Sequence, residues 1–501
     1  MAKGLLQGRA MDKATKYVFY ILLASGGLGV LLWCFGGGIS GNDFWWHIKA
    51  GEWICVNGRV PNRDIFSWYG TAHDFAWVAH EWLAEVIYWL LYRWGGEGSI
   101  FLFSLCGAML MALLLAWRIR PYAMENCVVT ALYLCMFCVL TSLFFYGRPH
   151  VFGYFLLYGE LWCLYGFAEG KCGWSLNLIP VLAVLWSNLH GGSSNLSYLL
   201  VLVFLLCGCR EWHVGRLYSV RWSRGQKIHL SAVLLATVCG IGINPAGYAM
   251  LGYPYVCMTD PVAMRVISEW ASPDAKNIGE LILYFLPVLA VSFGLLFGRR
   301  SVRVWDVVLM LFFLYLFFRS VRFIALFYIT ASFWAFPYGI PCKLKKIDKS
   351  LEKGLLAGAE LLLLAVVCMG MSRCVSTMGQ GESIVSALDK RFVELVREDA
   401  PERLYNDYNY GGDLIFADIP VFIDGRADVY AQDNLLAEGV SLMLLQPTVS
   451  GEPGTEALMD KYGFDAFLIG RDRPLYSYLC NDQERYETVL ETEETAYFRR
   501  R

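Results

Sequence analysis

Three short runs near the N-terminus hold residue types that could do chemistry. They are Asp43-Phe-Trp-Trp-His47, Gly58-Arg-Val-Pro-Asn-Arg-Asp64 and His80-Glu81-Trp82-Leu83. If 44–54 is helical, Asp43 and His47 share a face. A carboxylate beside an imidazole can act as a base or hold a cation. The plainer alternative is that Asp43 caps the helix and His47 is hydrogen-bonded nearby. Asp64 is either a second acid or an Asx turn following Pro61. His80 and Glu81 either face Asp43 across a cleft or open a helix, with Glu81 in its first turn.

Further candidates sit at the ends of apolar stretches. Arg148-Pro149-His150 suits a phosphate clamp, or an arginine snorkelling to an interface. Asn188 and His190 precede Gly191-Gly192, where a ligand or a backbone can approach closely, though a lone histidine at such a helix end is more often a satisfied interfacial group. Glu269-Trp270 is an isolated acid in a long loop, which a structural role also explains. Arg319 and Arg322 flank a turn between two apolar runs and suit a bound anion.

The elements that must position these residues are mostly membrane helices. The chain has 501 residues, 57% apolar and 17% charged, and a mean hydropathy of +0.44. A soluble protein carries roughly 25% charged residues. The net charge of −2 offers no footprint for nucleic acid. Most of the 16 cysteines lie in apolar runs and read as small hydrophobes, with no CxxC–His metal spacing. The pattern predicts a polytopic α-helical membrane protein with about eleven transmembrane helices. They fall at 17–35, 98–117, 126–146, 151–168, 174–190, 195–209, 229–243, 278–298, 304–318, 321–337 and 354–371.

Lys and Arg then orient the chain. Lys3, Arg9, Lys13 and Lys16 make the N-terminus cytoplasmic, with no cleavable signal. Arg118 with Arg120, the stretch from Arg210 to Lys227, Arg299 to Arg303 and Lys343 to Lys349 mark later cytoplasmic connections. The alternation holds only if 80–94 lies in the interface as an amphipathic helix and the span begins after Gly95-Gly96. Residues 1–371 then form the transmembrane domain, with a first outer loop at about 36–97. Every candidate named above falls on the extracytoplasmic face.

After residue 371 charge rises and apolar runs shorten. Residues 372–501 predict a small extracytoplasmic α/β domain, with a helix over 385–397. Strand candidates are 404–405, 413–416, 420–424 and 464–469, and 486–490 with 496–499 form an edge pair. Asp424-Gly-Arg426 reads as a turn. No P-loop, dinucleotide fingerprint, HExxH or Ser/His/Asp spacing occurs.

With these motifs assembled, the chain resembles GT-C-type polytopic membrane glycosyltransferases, in a bacterial branch with an Asp-x-Trp-Trp-His first loop. The matching residues are Asp43–His47, Gly58–Pro61 with Asp64, His80–Leu83, Arg148-Pro149, Trp186–Gly192, Asn244-Pro245 and Glu269-Trp270. Asn406–Gly412 and Phe422–Arg426 also match. The resemblance implies an enzyme of the bacterial plasma membrane and cell envelope. It would take sugar from a polyprenyl-phosphate donor and pass it, with inversion, to a hydroxyl of a glycan, lipid or protein acceptor. Asp43 would be the catalytic acid or a metal ligand, aided by His47 or Glu81, and the cofactor a divalent cation, Mg or Mn. The remaining residues His80, Asp64, Arg148, His150, Asn188, His190, Glu269, Arg319 and Arg322 would bind substrate. Many relatives carry two adjacent acids in this loop, whereas Phe44 follows Asp43 here, so a strict metal requirement does not carry over. The acceptor-peptide motif of oligosaccharyltransferases has no counterpart. Two other classes stay open: a transporter or flippase of a lipid-linked or anionic substrate, and a non-catalytic membrane scaffold.

Overall fold

The structure is a computed structural model. It describes residues 43–123, 147–255, 267–297, 300–338, 388–446 and 454–501, with scattered residues between these stretches. The expected spans 17–35, 126–146 and 354–371 lie wholly or largely outside the described residues.

Helix α1 (Phe44–Asn57) ends at Gly58, whose left-handed φ of 64° lets its N–H cap the Ile54 carbonyl. A short helix α2 (Trp68–Ala72) follows, capped by the Ser67 side chain. Helix α3 runs from Trp82 to Ala123 and breaks at Gly95 (φ −147°) and Gly96 (φ 60°). The Ser99 hydroxyl reaches the Leu91 and Gly96 carbonyls freed there. The expected boundary between an interfacial helix and a span therefore coincides with a real kink. The face carrying Glu81, Glu85 and Tyr88 is buried, while Leu90 is exposed. Helices α1 and α3 touch backbone to side at Gly51. A Cβ there would lie 2.1 Å from the Glu85 carbonyl oxygen, so only glycine permits this approach.

Beyond α3 the chain is largely helical, with helices His150–Ala168, Ile179–Leu189, Leu196–Cys207, Arg224–Ile241, Leu286–Phe297, Val304–Arg319 and Ile324–Trp334. Among the described residues three helices are long and apolar enough to cross a membrane: Trp82–Pro121, His150–Ala168 and Val321–Tyr338. That is fewer than the eleven expected. Segments Gly173–Leu189, Gly191–Cys207 and Leu286–Phe297 are apolar but short. At 1.5 Å per residue such helices fall short of a hydrocarbon core about 30 Å thick. A small sheet ties the loops at one end of the bundle: β1 (Trp212–Val214) pairs antiparallel with β2 (Leu217–Ser219), and β2 parallel with β3 (Val302–Arg303).

The C-terminal part folds around a four-stranded sheet ordered β4 (Leu404–Asn406), β5 (Ala466–Gly470), β7 (Thr495–Arg500), β6 (Tyr486–Glu491). β4 and β5 are parallel, and the other pairs are antiparallel. Three expectations hold here: the strand at 404–405, the strand within 464–469, and the edge pair. The expected helix forms at Lys390–Asp399. Two expected strands do not form. Gly411–Phe416 is a helix, and 420–424 contributes only a bridge from Val421 to Ser67. Both segments are too short for an alternating pattern to outweigh tertiary packing.

The first loop and the C-terminal part share one hydrophobic core. Trp46, Phe75, Trp77 and Ala79 pack with Leu404, Leu414, Phe422 and Ile423. The Trp68 ring stacks on Phe422 at 5.6 Å and its Nε1 donates to the Leu404 carbonyl. At the seam Arg426, only 2% exposed, pairs with Asp64 at 2.7 Å and with Asp424 at 2.6 Å. Its guanidinium lies over Phe66 and Trp77.

Burial alone would raise the Asp64 carboxyl, but Arg426 and Ser67 overcome it and hold it below its usual range. A depressed carboxyl stabilises the fold above its unfolded pKa of about 3.9 and loses that contribution as pH falls. Asp64→Asn, which removes one of the two carboxylates that pair with a buried guanidinium, should cost about 3 kcal/mol at neutral pH. In thermal unfolding of the detergent-solubilised protein, the gap to wild type should narrow below about pH 4.

Candidate functional site

A cavity of about 750 Å³ opens where α1, the start of α3, several helix ends and the C-terminal turn around Gly425 meet. Asp43 stands at its wall. As the residue before α1 it makes no side-chain cap bond. Instead it accepts from Trp46 Nε1 at 3.3 Å and pairs with Arg148 Nη2 at 3.1 Å. The capping alternative is thereby set aside. Arg148 precedes the helix that Pro149 opens, and its backbone carbonyl accepts from the Tyr88 hydroxyl at 2.9 Å. The other arm of the Arg148 fork reaches Glu269 at 2.6 Å. Burial would push the Glu269 carboxyl up, but Arg148 and Arg322 hold it below its ordinary value.

A second group lies deeper. Glu81 stands among three imidazoles: His190 at 3.3 Å, His80 at 3.4 Å and His47 at 3.8 Å. His47 Nδ1 also faces Glu85 at 3.4 Å. Trp46 lies across the His47 ring with centroids 3.7 Å apart. Burial would lower the His80 ring, yet Glu81 beside it lifts it to about 9. The same histidines hold Glu81 well below the usual carboxylate range, against the opposing effect of burial. His150 Nε2 meets the Phe144 carbonyl at 2.6 Å.

Cations close a further wall. Arg319 ends one helix, and Arg322 sits in the turn that Ser320 caps. The Ser320 hydroxyl donates to the Glu269 carbonyl at 2.8 Å, which fastens that turn to the Glu269 loop. Arg322 lies over the Trp270 ring at 5.9 Å. Among the described residues no carboxylate comes within 4.0 Å of its guanidinium, and Arg322 lines the cavity.

Of the residues singled out in the sequence, Asp43, His47, His80, Glu81, Arg148, His150, His190, Glu269, Arg319 and Arg322 all line this cavity. Asp64 and Asn188 do not. Asp64 forms the expected Asx turn, accepting from the Phe66 N–H at 3.1 Å, and anchors Arg426 behind the wall. Asn188 braces the bundle: it accepts from Trp82 Nε1 at 2.8 Å and donates to the Val184 and Ile243 carbonyls. Trp45 packs on Phe416 and Tyr92, away from the cavity. Trp45 and Trp82 therefore anchor the loop, and Trp46 faces the site.

Sequence reasoning missed the contribution of the C-terminal part. Asp407, Tyr408, Arg426, Asp428 and Arg473 line the same cavity. Arg473 pairs with Asp407 at 2.8 Å, and Tyr253 donates to Asp428 at 2.9 Å. Burial raises the Asp428 carboxyl. The motifs around 406–412 and 422–426 were visible, but nothing local placed them across from Asp43. Their juncture is Gly425, where a Cβ would lie 1.7 Å from Asp43 Oδ1 and 3.0 Å from Trp46 Nε1. The expected turn is there too, with the Arg426 N–H donating to Asp424 Oδ1 at 2.9 Å.

Gly425→Ala should therefore destabilise the protein by about 1–3 kcal/mol through overpacking. Combining it with Asp43→Ala should return much of that loss, a coupling that a double-mutant cycle of thermal unfolding would read. Compared with known proteins, the chain matches no family model and no curated sequence.

Proposed function

We propose that this protein is a GT-C-like multi-pass membrane glycosyltransferase. It moves a sugar from a polyprenyl-phosphate donor to an acceptor hydroxyl at the extracytoplasmic face, with inversion. The observation that carries the reading is the apposition, in one cavity, of the Asp43 carboxylate with Arg148 and with Arg322, which has no carboxylate within 4.0 Å among the described residues. A phosphate-linked sugar presents an anomeric carbon open to attack by a hydroxyl, next to a singly charged phosphodiester that gains a second negative charge as it leaves, and such a site suits both needs. The cavity volume of about 750 Å³ lies within the usual range for ligand pockets, roughly 300–1,000 Å³.

In this mechanism Arg322 and Arg148 bind the donor phosphate through charge-assisted hydrogen bonds. Arg148 starts with one arm on Asp43 and the other on Glu269. When the phosphate takes the arm that held Asp43, the carboxylate is freed next to the acceptor. Asp43 accepts the acceptor's hydroxyl proton as the oxygen attacks the anomeric carbon. The carbon–oxygen bond to phosphate breaks, and polyprenyl phosphate leaves with the electron pair beside the arginines. Attack opposite the leaving group inverts the anomeric centre. Trp46 and Trp77 lie in the same wall.

Purified protein in vesicles, supplied with polyprenyl-phosphate sugars and candidate hydroxyl acceptors, tests this reading. Wild type should transfer sugar, and Asp43→Asn should lower turnover by about 10²–10⁴-fold while still binding donor. Arg322→Ala should weaken donor binding more than turnover. If wild type consumes no donor, or Asp43→Asn works as well, the reading fails. A cysteine placed at residue 60 should be labelled by an impermeant reagent from outside the cell, and labelling only after lysis would remove the proposed sidedness.

A further inference from the structure

Three imidazoles and two carboxylates share the inner end of the cavity, and the general-base reading uses none of them. His47, Glu81 and Glu85 each bring one ligand atom to within 4.8 Å of the others. All three are buried, Glu85 at 1% exposure, and all three line the cavity. A network of charged hydrogen bonds would explain Glu81, whose oxygens face His80, His190 and His47. It does not explain Glu85. One Glu85 oxygen meets His47, but Oε2 is buried and has no hydrogen-bond partner among the described residues. A buried carboxylate oxygen without a donor is costly and seldom left so. No arginine or lysine pairs with Glu81 or Glu85 among the described residues, so two buried acids depend on imidazoles alone.

We infer that His47, Glu81 and Glu85 form a divalent metal site, with His190 and His80 positioning Glu81 from behind. The donor set settles the class of ion. Imidazole with carboxylates suits Zn²⁺ or Mn²⁺, whereas Mg²⁺ prefers oxygen ligands and keeps its waters. Ligands about 2.1 Å from a tetrahedral ion are roughly 3.4 Å apart. His47 Nδ1 and Glu85 Oε1 already stand 3.4 Å apart, so the ring and carboxylate need little movement. Asp43 is not a ligand in this arrangement, because Arg148 and Trp46 hold it. The position expected from the first-loop acid is thus replaced by residues on α1 and at the start of α3. Gly51 is what brings those two helices close enough to present their side chains to one ion.

The inference stands on this geometry whichever reaction the cavity serves. Full-length protein in detergent, stripped with a chelator and re-equilibrated separately with Zn²⁺, Mn²⁺ or Mg²⁺, tests it by metal analysis and thermal unfolding. Wild type should retain one Zn²⁺ or Mn²⁺ per chain after desalting and unfold at higher temperature when loaded, and Mg²⁺ should do neither. His47→Ala and Glu85→Gln should each bind at least about tenfold more weakly, whereas Asp43→Asn should bind as wild type does. Glu85→Gln keeps the size of the side chain, so a folded variant that has lost the metal is the informative result. Substoichiometric binding by wild type, or equal binding by wild type, His47→Ala and Glu85→Gln, overturns the site. Metal-free wild type that still transfers sugar would separate the two readings, since transfer would stand without the metal.

Discussion

Arg426 is buried with a carboxylate on either side: Asp64 from the first loop and Asp424 from its own turn. A desolvated guanidinium is tolerable only when such partners are held in place. Here the holding is reciprocal. Asp64 is kept by the turn at Phe66 and by the Ser67 hydroxyl, and Tyr430 bonds both the arginine and Asp424. The rings of Phe66 and Trp77 close over the guanidinium and exclude water. Segments more than 360 residues apart in sequence are thereby locked in one register, and the cavity is the space left between them.

From that lock the site follows by contact. It sets Gly425 against Asp43, so that no side chain fits between them, and brings Tyr408 and Asp428 into the cavity wall. On the other wall the helix ends converge because they are fastened to one another. Ser320 bonds the Glu269 loop, Glu269 holds Arg148, and Arg148 holds Asp43. The His80 carbonyl accepts from the Gly191 N–H at 2.9 Å, which draws His190 toward Glu81. Asp43, Arg148, Glu269 and Glu81 are thus each fixed by a neighbour on another element. That is the condition for pre-organised chemistry in a water-poor site.

Charge sorts the cavity into two zones. Near Arg322, Arg319 and Arg148 the cations gather, with Glu269 and Asp43 offsetting part of the charge. Near Glu81 and Glu85 only imidazoles face the acids. The first zone has the donors and charge that suit an anion, and the second has the ligand types that suit a metal ion.

Much of this was legible in the sequence, and the reasons are local. Asp43, His47, Glu81, Arg148 and Arg322 stood out because ionisable residues at the ends of apolar runs are costly without a role. The break at Gly95-Gly96 was readable because paired glycines interrupt a helix wherever they occur. The count of spans was less secure, since apolar length says little about whether a short helix crosses a bilayer or packs against neighbours. The strand predicted over 413–416 became a helix for a similar reason: four residues carry too little pattern to resist their surroundings. Only the tertiary structure decided that Asp43 pairs with Arg148 instead of capping α1. Only it turned Asp64 and Asn188 into braces behind the wall and brought Asp407 and Asp428 into it. Residue types and spacing act within a few turns of chain, whereas ion pairing and burial act across space. The chemistry offered by each residue is therefore written in the sequence, and its partner is chosen by the fold.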